Sequence, residues 1–171
     1  MVAGESVLFV DPAEIPAHAD VAKLGQALAA APARGQLYEL MANLAAYTGL
    51  RWGELAALTI TQIDQAARVI TVDRKVVEIG GRLFGETPKN RKLRRTIYPS
   101  RTPEDYPLAG MVAARIAQAH AEQDTGTNPL GLMFPSPQGK HWRASNFSRR
   151  VLAAAYQAAG WRGITTSTTS P

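Results

Sequence analysis

The 171-residue chain has no cysteine. That excludes a disulfide scaffold, a cysteine zinc site and a thiol nucleophile. Its three histidines, His18, His120 and His141, lie too far apart for metal-ligand spacing. No run approaches the roughly 20 apolar residues that span a bilayer. The opening Met1-Val-Ala-Gly-Glu-Ser6 lacks a basic stretch followed by an apolar one, so it does not read as a secretory signal. A soluble, cytoplasmic chain is expected. A nucleophile elbow, a phosphate loop and a dinucleotide fingerprint are all missing from the sequence. Gly49-Leu-Arg-Trp-Gly53 has two glycines, but no phosphate-cradling pattern follows them. No cofactor, metal, membrane or small-molecule substrate is expected.

What is present is enough apolar chain for one domain: 46% of residues are hydrophobic and 19% charged. The formal charge is +5, and its location is informative. Arg82, Lys89, Arg91, Lys92, Arg94, Arg95 and Arg101 lie in one stretch with a single acid, Glu86. That stretch carries +6, which leaves −1 for the rest of the chain. A concentrated positive patch on a near-neutral body suggests a polyanion partner. Charge alone fits a solvated hairpin equally well.

Residues 1–16 read as an incoming linker. The segment from His18 to Ala31 is helix-prone, with Pro32 beyond its end. From Gln36 to Thr48, Leu37, Leu40, Met41, Leu44 and Ala45 recur on one face of a helical period, and Gly49 follows as a stop. A short helix is expected from Trp52 to Leu58. Arg68–Asp73, Lys75–Ile79 and Arg94–Tyr98 are rich in β-branched residues and bounded by turn-formers, so they read as strands, with Leu83-Phe84 as a short extra piece. A helix returns from Leu108 to about Gln123. Leu132-Met-Phe134 reads as a buried anchor, and Ser145 as the N-cap of a helix that Gly160 stops. The polar run after Ile164 is low-complexity and is expected to fray. The pattern predicts an α+β domain, mostly helical, with a small three-stranded antiparallel sheet.

Thr48-Gly-Leu-Arg51-Trp-Gly-Glu54-Leu55 ends one amphipathic helix and begins another. An arginine in so tight a junction is costly to bury unless paired. Two readings are open. Arg51 and Glu54 form a structural brace, or the guanidinium is presented to a phosphate, which its planar fork suits.

This octapeptide closely resembles the first conserved box of tyrosine recombinases, the phage integrase family. Thr87-Pro-Lys89-Asn-Arg-Lys-Leu-Arg-Arg95-Thr-Ile97 resembles the family's β-hairpin segment, and strands lie between the two as expected. The resemblance spans roughly residues 17–162, with 163–171 divergent. It implies a partial recombinase catalytic domain that binds duplex DNA, with other recombinase protomers as further partners in DNA recombination and integration. By the resemblance, Arg51 matches the first catalytic arginine, which holds the scissile phosphate, and Glu54 the supporting acid. Lys89 matches the hairpin lysine that protonates the leaving 5′ oxygen, a role that lysine takes on when neighbouring positive charge lowers its pKa. A simple phosphate contact is the alternative for Lys89. Lys92, Arg94 and Arg95 are expected on the DNA backbone, with a structural ion pair as the alternative for Arg95. Arg143, Arg149 and Arg150 are further DNA-contact candidates, or else a solvated basic face.

The family continues to a His-x-x-Arg box and a helix bearing a nucleophilic tyrosine. Neither has a match here. His141 precedes the last helix, so it is not the family's catalytic histidine. The expectation is a DNA-binding fragment, incomplete as a recombinase domain and inactive in strand cleavage alone. Two alternatives are a non-catalytic regulatory DNA-binding module and an interaction protein whose basic hairpin binds an acidic partner.

Overall fold

The computed structural model describes residues 17–87 and 93–160. The chain begins with α1 (His18–Ala29) and α2 (Gly35–Thr48), which pack on each other. Gly35 makes their close turn possible, since a Cβ there would lie 2.0 Å from the Ala29 carbonyl oxygen. In α2 the periodic Leu40, Met41 and Leu44 are buried, as their spacing predicts. Gly49 ends α2 at φ +66°, a left-handed conformation that glycine adopts without strain. The short α3 (Trp52–Ala57) follows, then a 3₁₀ turn, Ile60–Gln62.

The strands are β1 (Ile63–Asp64), β2 (Val69–Val72), β3 (Lys75–Ile79), β4 (Arg82–Glu86) and β5 (Arg94–Ile97). All pairings are antiparallel. A three-stranded sheet is present, in the order β1-β2-β5, while β3 and β4 form a separate hairpin. Its membership differs from the sequence expectation, because Lys75–Ile79 does not join β2. The cause lies at Asp73-Arg74. The Asp73 carboxylate accepts bonds from the Gln62 side chain at 2.8 Å and from Arg74 at 2.7 and 3.0 Å. Neither residue has the positive φ that a two-residue hairpin turn requires. Gly80 and Gly81 do, at +56° and +74°, so β3 turns there onto β4. β1, only two residues long, is too short to leave a periodic signal.

The long helix α4 is Leu108–Asp124. Beyond it, Leu132, Met133 and Phe134 are buried in the core, as expected of the anchor. Arg115 of α4 holds them in place. It donates to the Met133 and Leu132 carbonyl oxygens at 2.7 and 3.2 Å and bidentately to Glu122 at 2.9 and 2.7 Å. The last helical stretch runs as α5 (Ala144–Phe147), a wide π turn (Ser148–Leu152) and α6 (Ala153–Ala159), and Gly160 ends it at φ +67°. Ser145 is not its N-cap. Arg143 occupies that position, and Ser145 lies in the first turn. The expected linker at 1–16 and tail at 163–171 fall outside the described residues.

Candidate nucleic-acid interface

Arg51 is positioned by the α2–α3 junction. Buried Thr48 folds its hydroxyl back to the Leu44 carbonyl oxygen at 2.5 Å, which completes the last turn of α2. The Thr96 hydroxyl of β5 donates to the Thr48 carbonyl oxygen at 3.0 Å, fixing the junction to the sheet. α3 then starts with Arg51 as its N-cap residue. Gly53 permits close packing of α3 on β3, because a Cβ there would lie 2.4 Å from the Val76 carbonyl oxygen. This second glycine of the octapeptide therefore serves packing, which its sequence context did not reveal.

The guanidinium of Arg51 is exposed and has no hydrogen-bond or ion-pair partner among the described residues. Glu54 does not brace it. The Glu54 carboxylate instead accepts from the Arg51 main-chain N–H at 2.9 Å, capping α3, and pairs with the Arg94 guanidinium. The capping arrangement satisfies one of the amides that a helix start leaves open. Of the two readings of Arg51, the brace through Glu54 is thus absent. What remains is a cation without a partner among the described residues, on a corner tied to the sheet through Thr96.

The basic strand divides by its alternation. Arg94 and Thr96 point toward the junction, while Arg95 is exposed with Ile97 on the opposite face of β5. Arg94 carries the ion pair, and Arg95 has none among the described residues. Lys89 and Lys92 lie outside the described residues. A cleft of about 690 Å³ flanks this region, lined by Arg74, Lys75, Glu86, Thr87, Leu93 and His141 among others. Half-buried His141 places Nδ1 3.0 Å from the Ala56 carbonyl oxygen. A carbonyl only accepts, so Nδ1 carries the proton in that bond.

Arg143, Arg149 and Arg150 are exposed on the last helical stretch, and Arg149 donates to the Asn146 side chain at 3.2 Å. This helix is tied to α3 by rings: buried Phe147 lies 4.9 Å from Trp52, 5.3 Å from Trp142 and 5.6 Å from Tyr38, centroid to centroid. Packed aromatics of this kind make a stiff connection. Both arginine-bearing helices therefore share one core contact. The π turn that carries Arg149 and Arg150 left no recognisable trace in the sequence.

All five tyrosines fall within the described residues, and each has its phenol pushed up from the ordinary value, first by burial. For Tyr106 the neighbouring Glu39 carboxylate adds to the effect, and for Tyr47 Glu104 does. Among the described residues no helix is long and apolar enough to cross a membrane.

The fold is that of the catalytic domain of tyrosine recombinases and integrases. The XerA recombinase matches with a TM-score of 0.59 at 16% identity, over 85% of this chain and 42% of that one. The Tn1549 transposon integrase in complex with a circular intermediate DNA matches with a TM-score of 0.64 at 16% identity, over 93% of this chain and 50% of that one. The same integrase with transposon right end DNA matches with a TM-score of 0.59 at 19% identity, over 81% and 42%. The chain thus spans about half the length of these proteins. No protein-family model matches the sequence, and no curated protein matches it.

Proposed function

We propose that the chain binds duplex DNA through phosphate contacts made by Arg51 and by Arg143, Arg149 and Arg150, and that it does not cleave strands by itself. The observation that carries this is the state of Arg51. It is exposed and unpaired among the described residues, on a corner held by Thr48, Thr96, Glu54 and Gly53. The corner fixes the backbone of Arg51, and the planar fork of its guanidinium matches a phosphate. The integrase structures with this fold are in complex with DNA, which supports the same partner. Arg94 serves first to position Glu54, and Lys89 and Lys92, which lie between β4 and β5 in the sequence, add charge. Other recombinase protomers are further partners on this reading.

The tyrosines support the non-cleaving half: burial is the first cause pushing each of the five phenols up, which disfavours the phenolate. The experiment is incubation with a nicked duplex that traps covalent protein–DNA adducts. The expected result is a shifted complex that denaturant fully dissociates. A denaturant-resistant adduct would refute the non-cleaving half, and no shift at all the DNA-binding half.

A further inference from the structure

The β3–β4 hairpin touches both arginine-bearing helices. β3 packs against α3, where Val76 is buried with Ala56 and Ala57 and Gly53 lets the backbones meet. Two residues on and on the same face of β3, Glu78 reaches the start of α5. Its carboxylate accepts from the Ser145 hydroxyl at 2.9 and 3.2 Å and lies 3.4 Å from the Ser145 main-chain N–H. No side chain within the helix caps this end. The carboxylate on β3 takes that role from 67 residues away. Two residues before Ser145 stands Arg143, and one turn after it stand Arg149 and Arg150.

We infer, on the DNA-binding reading proposed above, that Glu78 is a positioning residue for the DNA interface: it clamps the arginine helix to the hairpin that seats α3, and so sets the spacing between Arg51 and Arg143, Arg149 and Arg150. The sign of its effect separates this role from ordinary electrostatics. A carboxylate beside a DNA-binding surface repels phosphate, so its removal by itself tightens binding. A clamp acts in the opposite direction. Losing it lets the helix start fray and the arginines move out of register with Arg51. Ser145 must then share the effect, since it is the other half of the contact.

The experiment measures affinity for a 30-base-pair duplex by fluorescence anisotropy for the wild type, Glu78→Ala, Ser145→Ala and the double variant. Circular dichroism melts check folding, and amide exchange is followed at 144–148. Glu78→Ala is expected to weaken binding about fivefold, the factor that matches loss of one helix-cap interaction. Ser145→Ala is expected to weaken it in the wild type and to change nothing further in Glu78→Ala, the mark of two residues acting through one contact. Amides at the start of α5 exchange faster in both single variants. Glu78→Gln retains an acceptor oxygen and is expected to leave amide exchange at the start of α5 as in the wild type, and Ser145→Ala, which changes no charge, keeps the test informative if Glu78→Ala folds poorly. Tighter or unchanged binding by Glu78→Ala, or additive effects of the two substitutions, overturns the inference while leaving DNA binding intact. A wild type that binds no duplex overturns the DNA-binding reading itself, and this inference with it.

Discussion

Replacing Glu122 with alanine tests how the core holds the segment leading to the arginine helix. The Arg115 side chain is 3% exposed and the Glu122 side chain 22%. Burial acts first to raise the Glu122 carboxyl, but hydrogen bonds and charge from Arg115, with a bond from Asn128, outweigh it and hold the group below its ordinary range. Deleting the carboxylate leaves the guanidinium buried with only the Met133 and Leu132 carbonyl oxygens as partners. Breaking a buried pair on one side costs about 3–5 kcal/mol. Partial exposure of Glu122 lets water reach the vacated site, which places the loss near the lower end, about 3 kcal/mol. For a chain of this size that corresponds to a drop in Tm of roughly 6–12 °C. Arg115→Met combined with Glu122→Leu removes both charges. The Leu132 carbonyl oxygen keeps its bond from Asn128 at 2.9 Å, so the Met133 carbonyl oxygen and one Asn128 side-chain N–H lose their partners, and the expected cost falls to about 2 kcal/mol. Urea unfolding followed by circular dichroism measures both. The reasoning is refuted if Glu122→Ala costs less than about 1 kcal/mol, or if the double variant is as unstable as the single.

Four other outcomes follow from the same geometry. Because the folded Glu122 carboxyl lies below its ordinary value of 4.5, its contribution to stability is complete above that value and is lost as pH falls through the lower folded one. The acid limb of a stability–pH profile should lose this component in Glu122→Gln. Gly53→Ala gains about 1 kcal/mol of helix propensity but forces a methyl onto the Val76 carbonyl, an overpacking cost of about 1–3 kcal/mol, so its Tm should fall rather than rise. Arg94→Ala should lower stability by no more than about 1 kcal/mol, since the pair with Glu54 is partly exposed, and should also weaken DNA binding. Arg95→Ala, on the opposite face of β5, should leave stability unchanged in thermal melts and affect DNA affinity less than Arg51→Ala does.

Local chemistry made much of this fold legible in the sequence. The spacing of Leu40, Met41 and Leu44 marked the buried face of α2, and Gly49 and Gly160 marked helix ends with positive φ. Gly80-Gly81 marked a turn between extended segments. What stayed hidden depends on partners far apart in sequence. Strand β3 leaves the main sheet because Gln62 holds Asp73, 11 residues away. Glu54 sits three residues from Arg51, yet its charge partner is Arg94, 40 residues on. Ser145 has the residue type of an N-cap, but Glu78 claims its hydroxyl from 67 residues away. In the candidate site, Arg51 and Glu54 could be picked out by motif, whereas their separate roles required the packing of β3 and β5. The division of Arg94 from Arg95 required the strand register.

The most direct test of the account is the salt dependence of duplex-DNA affinity for the wild type and for Arg51→Ala. Binding through phosphates gives a steep linear fall of log affinity with log salt, and removing one phosphate contact lowers the slope by about one. The account predicts a steep wild-type slope and a shallower one in Arg51→Ala, with weakening that is uniform across DNA sequences. A salt-independent affinity, or a slope that Arg51→Ala leaves unchanged, would contradict it.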